Sequence, residues 1–475
     1  MPFYQHAKCL PRQFRLVLSS FMQHGDLPFK DALREETIQQ AFNDEGCAFA
    51  QDDDDVYTPA VTLWAFLSQV LFKGEQRSCL AAVARVVVLC VTLGRGACSD
   101  NTGAYCRARG KIPTVIIRRL ALALADVCEQ QLPDGWLWKG RHVHLVDGTT
   151  ASMPDTVLNQ AAYPQPACQK KGLGFPIARM VVLLSLATAM VKGMAIGPYA
   201  GKETGETALL RELLARFQPG DILLADRYYC SYFMIALLLE LGIDFVVRLH
   251  HCRQTDFARR RRLGPGDYLV RWTRPQRPDW MDRETYARMP SALEVRQLEV
   301  QVRQPGFRVE ELVVVTTLTD ARTYTKDDVA ELYHQRWLVE LDIRALKITL
   351  GMDVLRCKTP EMVCKEIWTC LLAYNLIRQT MLQAALAADR SPRQLSFTAA
   401  MQKIAASWAT LSVCDEETLV VLVRVHLKHL PAHQVGNRPD RVEPRALKRR
   451  PKPHKLLTKS RAEARADLLA GSAKE

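Results

Sequence analysis

The sequence predicts an α/β core held between two helical regions. Between Arg141 and Asp320, short apolar runs rich in β-branched residues are punctuated by Gly- and Pro-bearing turns, the pattern of strands. Before about residue 125 and after Lys326, apolar residues recur at helical spacing instead. One run inside the core, DILLADRYY at 221–229, is apolar without alternation, which predicts a strand buried on both faces.

At 475 residues the chain is too long for one simple core. A net charge of +13 and an isoelectric point near 9.1 point to a polyanionic partner, nucleic acid being the commonest. The charge is uneven: residues 431–475 hold 12 Lys/Arg and 5 Asp/Glu, a net of +7. The 14 cysteines are scattered without a CxxC pair and read as reduced thiols. Lys8, Arg12 and Arg15 interrupt any secretory apolar segment. The longest apolar run, 180–191, is too short to cross a bilayer, so no membrane partner is expected and the reading is a cytoplasmic protein.

In chain order, the N-terminal helices include VTLWAFLSQVLF at 61–72 and AAVARVVVLCVTL at 81–93. Asn101 and Thr102 then cap a short helix carrying Tyr105, Arg107 and Arg109, residues suited to phosphate and base contacts. A strand at 141–150 ends in Asp147-Gly148, and a hairpin is expected over 178–199. A helix at 206–217 follows, then the doubly buried strand ending at Asp226, a helix at 231–241 and a strand at 244–250. Residues 251–310 are rich in Arg and Pro, contain Trp272 and Trp280, and read as a small β insertion. His250, His251 and Cys252 carry no metal-site expectation, since adjacent strand side chains face opposite ways and a fourth ligand is missing. A last strand at 311–320 leads to a long helix over 326–352, then to helices at 361–386, 396–408 and 417–429.

The helix at 326–352 organises the rest. Its Asp327 and Asp328 suit a helix N-terminus. At about 100° per residue, Leu332, Val339, Ile343, Leu346 and Leu350 form a core stripe. Tyr333, Arg336, Glu340 and Lys347 form a second stripe beside it. Asp342 falls off both and reads as a surface or capping carboxylate. Taken alone, the charged stripe would be a solvated ion pair. Two strand-end aspartates upstream, Asp147 and Asp226, change its meaning, because ligand-binding groups collect at the C-terminal ends of strands in α/β sheets. Three carboxylates without His or Cys match a hard-cation site, and two Mg²⁺ ions held so can serve in-line displacement at phosphorus.

Tyr333, Arg336, Glu340 and Lys347 spell Y-x2-R-x3-E-x6-K. Together with VDGTT at Asp147 and ADRYY at Asp226, this signature resembles that of the insertion-sequence-four family of bacterial DDE transposases. The likeness covers about 140–380 and extends more weakly to the SDNTGAYCRAR segment and the basic tail. It implies an RNase H-like catalytic core over 136–380, interrupted at 251–310 by the β-rich insertion. Flanking this are a helical region, 1–125, for DNA-end binding; C-terminal helices, 381–430, as a candidate dimerisation region; and a basic tail, 431–475, expected to be poorly ordered. By the family's pattern Asp147, Asp226 and Glu340 are catalytic and hold two Mg²⁺ ions, with Mn²⁺ able to substitute. Tyr333, Arg336 and Lys347 grip phosphates, with Arg227 a further DNA-binding candidate and Trp272 and Trp280 candidates for stacking on a flipped base. The implied activity is nicking of double-stranded DNA at the element's ends and joining to target DNA, by a homodimer in a bacterial, nucleoid-associated setting. Two rival readings are an element-derived DNA-binding protein without cleavage and an RNase H-like nuclease without strand transfer.

Overall fold

The computed structural model describes residues 13–23, 27–52, 54–250, 260–301, 311–435 and 456–470. His251 and Cys252, most of the basic tail and both ends of the β insertion lie outside these residues.

Six helices come first: α1 (Arg15–Ser20), α2 (Glu35–Asp44), α3 (Pro59–Leu71), α4 (Cys79–Thr92), α5 (Thr102–Lys111) and α6 (Thr114–Gln130). Side-chain caps start α3, α4 and α5, as when Thr58 accepts from the Val61 amide ahead of Pro59. The core then runs β1 (Val143–Ser152), α7 (Val157–Ala162), β2 (Ile177–Ser185), β3 (Val191–Pro198), α8 (Glu206–Glu212), β4 (Ile222–Ala225), α9 (Tyr232–Glu240) and β5 (Asp244–Arg248). Next come β6 (Arg260–Gly264), β7 (Asp267–Thr273), α10 (Arg283–Arg288), β8 (Ala292–Gln301) and β9 (Glu311–Thr316). The helices α11 (Lys326–His334), α12 (Leu338–Arg344), α13 (Pro360–Ala387), α14 (Phe397–Val413), α15 (Glu416–His429) and α16 (Arg461–Leu469) complete the chain. Among the described residues, no helix is long and apolar enough to cross a membrane, and the apolar run at 180–191 is the β2–β3 hairpin that its β-branched residues predict.

The nine strands of the described residues lie in one sheet, in the order β3-β2-β1-β4-β5-β9-β8-β7-β6. Among them, only the pairs β1–β4 and β4–β5 are parallel. The sheet separates two apolar cores. Leu145, Val182, Leu184 and Leu224 face α6, α13 and the other terminal helices. Val146, Val181, Leu183 and Leu223 face α8 and α9. This accounts for the unbroken apolar character of β4: its alternate side chains enter different cores.

The central helix of the first core is α13, which starts on Pro360 behind a Thr359 cap and is buried over most of its length. Asn375 fastens it. Its Nδ2 donates to Ala121 O at 2.8 Å and Val191 O at 3.0 Å, and its Oδ1 accepts from Val191 N at 2.9 Å, joining α13, α6 and β3.

The described part of the β insertion joins the main sheet. Its strands continue the sheet, because β9 pairs with β5 on one side and with β8 on the other. Arg296 of β8, fully buried, makes a two-pronged ion pair with Asp267 at 2.8 and 2.6 Å. Its remaining nitrogen donates to the Leu318 and Tyr324 carbonyls, in the segment that leads into α11. Lys326, the first residue of α11, donates to Pro265 O at 2.8 Å. The insertion therefore braces the entry of the organising helix.

Removing one member of that buried pair leaves a charge without its partner. Arg296→Ala is expected to destabilise the chain by about 3–5 kcal/mol, whereas Arg296→Met with Asp267→Leu recovers most of the loss. Chemical denaturation of the three proteins checks this, and equal stabilities for the single and double variants would refute it.

Candidate active site

The register of two parallel strands brings the aspartates together. Leu145 of β1 pairs with Leu224 of β4, so two residues further on Asp147 and Asp226 arrive at the same edge of the sheet and on the same side. Chain β4 stops at Ala225, and Asp226 caps the 3₁₀ turn Arg227–Tyr229 by accepting from the Tyr228 amide at 2.7 Å. Asp147 accepts from the Gly148 amide at 2.8 Å. Arg227 and Tyr228 are exposed beside Asp226, while Tyr229 is buried.

The third acid comes from above. A capping box, in which Thr325 and Asp328 bond reciprocally, starts α11. The helical path to Thr349 is continuous but uneven: a 3₁₀ turn covers Gln335–Trp337 and a π-helical turn covers Ala345–Thr349. The expected core stripe holds, with Leu332, Val339, Leu346 and Leu350 buried and Ile343 packed against them. That anchorage turns Arg336 and Glu340 towards the strand ends. Arg336 donates to Glu340 at 3.0 Å and lies 3.8 Å from Asp147, so one guanidinium bridges acids from two elements. Lys347 sits, partly exposed, in the π turn, a form of helix common at functional sites.

These charges reshape one another. Burial pushes the Asp147 carboxyl up to about 6, and the nearby carboxylates Asp226 and Glu206 add to this, while the Gly148 amide and Arg336 oppose it. Burial opposes the charge on Arg336, but Tyr333, Asp147 and Glu340 around it hold its pKa above the ordinary value. Tyr333 is buried, and burial pushes its hydroxyl up to about 12 against the pull of Arg336 and Arg248, so it stays protonated.

Several expectations change in the folded chain. Asp342 is no surface carboxylate: it is buried between Arg378 at 2.9 Å and Arg393 at 3.0 Å. The helix flank that the angular count left free is covered by α13 and the Ser391–Arg393 loop. Tyr105 and Arg109 are not surface contacts; both are buried and donate to Gln69 Oε1 at 2.8 Å, leaving Arg107 as the exposed one of the three. Trp272 is a core residue of β7 rather than a platform for a base. Trp280 is partly buried, with the Arg211 guanidinium 3.9 Å from its ring centre and Phe233 edge-on. The residue that sequence reasoning missed is Glu206, whose carboxylate lies against Gly148. Its signal was an acid in phase with Leu209 and Leu213 on the apolar face of α8.

Among the described residues, no three His, Cys, Asp or Glu side chains are gathered closely enough to enclose a metal as they stand. The donor chemistry nevertheless suits a hard cation: the acids are all oxygen donors, and Arg336 already supplies positive charge between Asp147 and Glu340.

The raised Asp147 carboxyl also predicts a pH signature. Because its folded pKa lies above the ordinary 3.8, the penalty on the fold grows as pH rises from about 4 to about 6, is constant above that, and disappears below about pH 4. Asp147→Asn should stabilise the metal-free protein near pH 8, by at most about 3 kcal/mol, and so raise its melting temperature, with a shrinking gain on acidification. Thermal melts at about pH 8 and about pH 4.5 check this; a gain that does not vary with pH would contradict the burial of the charge.

A model of the transposase DDE domain matches residues 138–376. The transposase InsG of insertion sequence element IS4, from Escherichia coli strain K12, is 27% identical over 355 residues, covering 73% of this chain and 76% of that protein. A putative transposase InsL of element IS186A, from the same organism, is 38% identical over a short stretch of 65 residues, 14% of this chain and 18% of that one. Among solved structures, the cryo-EM structure of a piggyBac transposase synaptic complex with hairpin DNA aligns over 87% of this chain and 85% of that one, at 9% identity and a TM-score of 0.42, too loose a likeness to inform the fold. The domain match spans half of the chain and contains the strands and the helix that carry the acids, so this chain belongs to the DDE transposase family and is a transposase of the insertion-sequence-four kind.

Proposed function

We propose that Asp147, Asp226 and Glu340 are the acids of this transposase's DNA-cutting and DNA-joining centre, set in an RNase H-like core over 136–380. The observation that carries the reading is the β1–β4 register, which delivers two aspartates to one sheet edge beneath a helix that presents Glu340 and Arg336 to them. The order β3-β2-β1-β4-β5, with its antiparallel hairpin followed by parallel strands, supports the RNase H-like assignment. DDE transposases depend on divalent metal; here the three carboxylates are proposed to hold two Mg²⁺ ions, with Mn²⁺ as a substitute. When bound, such ions offset charge on the phosphoryl oxygens and activate the attacking oxygen.

The chain's own residues orient the DNA. In the free protein Arg336 is committed to Asp147 and Glu340. On binding an element end, its guanidinium exchanges those carboxylates for a backbone phosphate, which releases Glu340 to the metal. Lys347, Arg227 and the Tyr333 hydroxyl add phosphate contacts, and Trp280 is the stacking candidate. Water oxygen then bonds to phosphorus at the element end, and the 3′-oxygen leaves as a hydroxyl. That hydroxyl attacks a target phosphodiester in the same way, so bonds are exchanged without external energy. Exposed Val421 and Val425, one turn apart on α15, support dimer contacts within 381–430, while 1–125 is assigned to end recognition and the basic tail to non-specific contact.

Asp226→Asn and Glu340→Gln are expected to lower end cleavage by about three orders of magnitude or more, while a mobility-shift assay shows end binding retained. Cleavage at the wild-type rate in either variant would remove that residue from the centre. Products joined to target DNA separate this reading from that of a nuclease. In contrast, Arg336→Ala and Lys347→Ala should each weaken end binding and reduce the salt slope by about 1. An unchanged slope would place their charges away from phosphate.

A further inference from the structure

Three glycines of the sheet receive side chains from one face of α8 and the turn after it. A Cβ on Gly197 of β3 would lie 3.2 Å from Leu209, and one on Gly193 would lie 3.3 Å from Leu213. A Cβ on Gly148 of β1 would fall 2.1 Å from the Glu206 carboxyl carbon, inside the van der Waals radius of the group. Positions 206, 209 and 213 share one helix face. Its leucines fill the second core, so the glutamate stands where a third apolar residue would complete the face. It is aimed instead at the backbone next to Asp147.

Its carboxylate is held there. Tyr229, in the turn that follows Asp226, donates to Glu206 Oε2 at 3.3 Å. Arg179 of β2 donates to Thr204 O at 2.8 Å and steadies the approach to α8. Asp147 and Asp226 are both close enough to act on Glu206 or be acted on by it electrostatically. A carboxylate held by a phenol, in space that a glycine leaves for it, gains nothing for the fold that a leucine would not supply better.

We propose that Glu206 is a fourth metal-site acid of this transposase, binding divalent cation together with Asp147 and Asp226 from the α8 side of the sheet edge. The inference rests on the placement of the metal at Asp147, Asp226 and Glu340 argued above. Glu206 would then be one more anionic donor for the cation, whereas in the metal-free chain its charge only adds to the repulsion that Arg336 offsets at Asp147. Gly148 is part of the same device, since any side chain there would evict the carboxylate.

The test is calorimetric titration of the metal-stripped full-length protein with Mn²⁺. Glu206→Gln, which preserves the side-chain volume and an acceptor for Tyr229, is expected to bind Mn²⁺ at least tenfold more weakly. Its affinity for end DNA in chelator should be unchanged, and its cleavage should recover partly as Mn²⁺ is raised. Gly148→Ala should show the same loss, and Glu212→Gln, on the exposed side of α8, none. Asp226→Asn is titrated in parallel. If it loses Mn²⁺ binding while Glu206→Gln retains wild-type affinity, the role of Glu206 is overturned alone; if both retain it, the metal placement falls as well. Should Gly148→Ala fail to fold, the Glu206→Gln result decides.

Discussion

The structure depends on one constraint: β1 and β4 run parallel, in register, as neighbours at the centre of the sheet. Parallel neighbours advance together, so equal steps from the Leu145–Leu224 pair bring Asp147 and Asp226 level without any long-range adjustment. Burial on both faces then fixes the register, because a one-residue slip would exchange the two apolar cores and carry both aspartates to the wrong side. The same burial leaves the strand ends as the place where charged groups can reach water. The acids are located by the hydrophobic requirements of the residues preceding them.

The third acid is located by different means. Glu340 lies on a helix, more than half exposed, and nothing in the sheet holds it directly. Its position follows from the stripe beside it, Leu332, Val339 and Leu346, and from a brace on each side. The Arg296–Asp267 pair and Lys326 tie the entry of α11 to the β insertion. Asp342, gripped by Arg378 and Arg393, ties α12 to α13 and the loop behind it. Two buried ion pairs seldom contribute much net stability, since desolvation offsets attraction. What they supply here is direction: each has one geometry in which all its donors are satisfied, and that geometry aims Glu340.

Much of this could be read before folding was known, because periodicity is local. The hairpin, the doubly buried strand with Asp226 at its end, and the Tyr333–Lys347 stripe are all set by spacings of two or of three to four residues; the strand expected to end at Asp147-Gly148 instead runs on to Ser152, because β2 pairs with it throughout and leaves Asp147 mid-strand. What was not legible depended on partners far away in sequence. Asp342 looked free because an angular count sees one helix, whereas α13 covers that flank. Tyr105 and Arg109 looked like surface contacts because Gln69, which accepts from both, lies on another helix. That the strands of the β insertion extend the main sheet was not legible either, because nothing local reveals that β8 pairs with β9. Even the stripe was only approximately placed, since the 3₁₀ and π turns around Glu340 tighten and widen the helix in ways that a fixed 100° step cannot follow.

Glu206 shows the limit most clearly. Locally it is one acid at the start of a short helix, favoured there by the helix dipole and needing no other reason. Only the strand order reveals that the face it shares with Leu209 and Leu213 lies on β3, β2 and β1, and that the residue beneath it on β1 is a glycine next to Asp147. The glycine and the glutamate each have an ordinary local explanation, a turn former and an N-terminal acid. Neither explanation predicts that they should touch. That the Gly148 backbone and the Glu206 carboxylate occupy complementary space is therefore a property of the assembled sheet edge, and it ties the α8 side of the fold to the acids that the opposite helix completes.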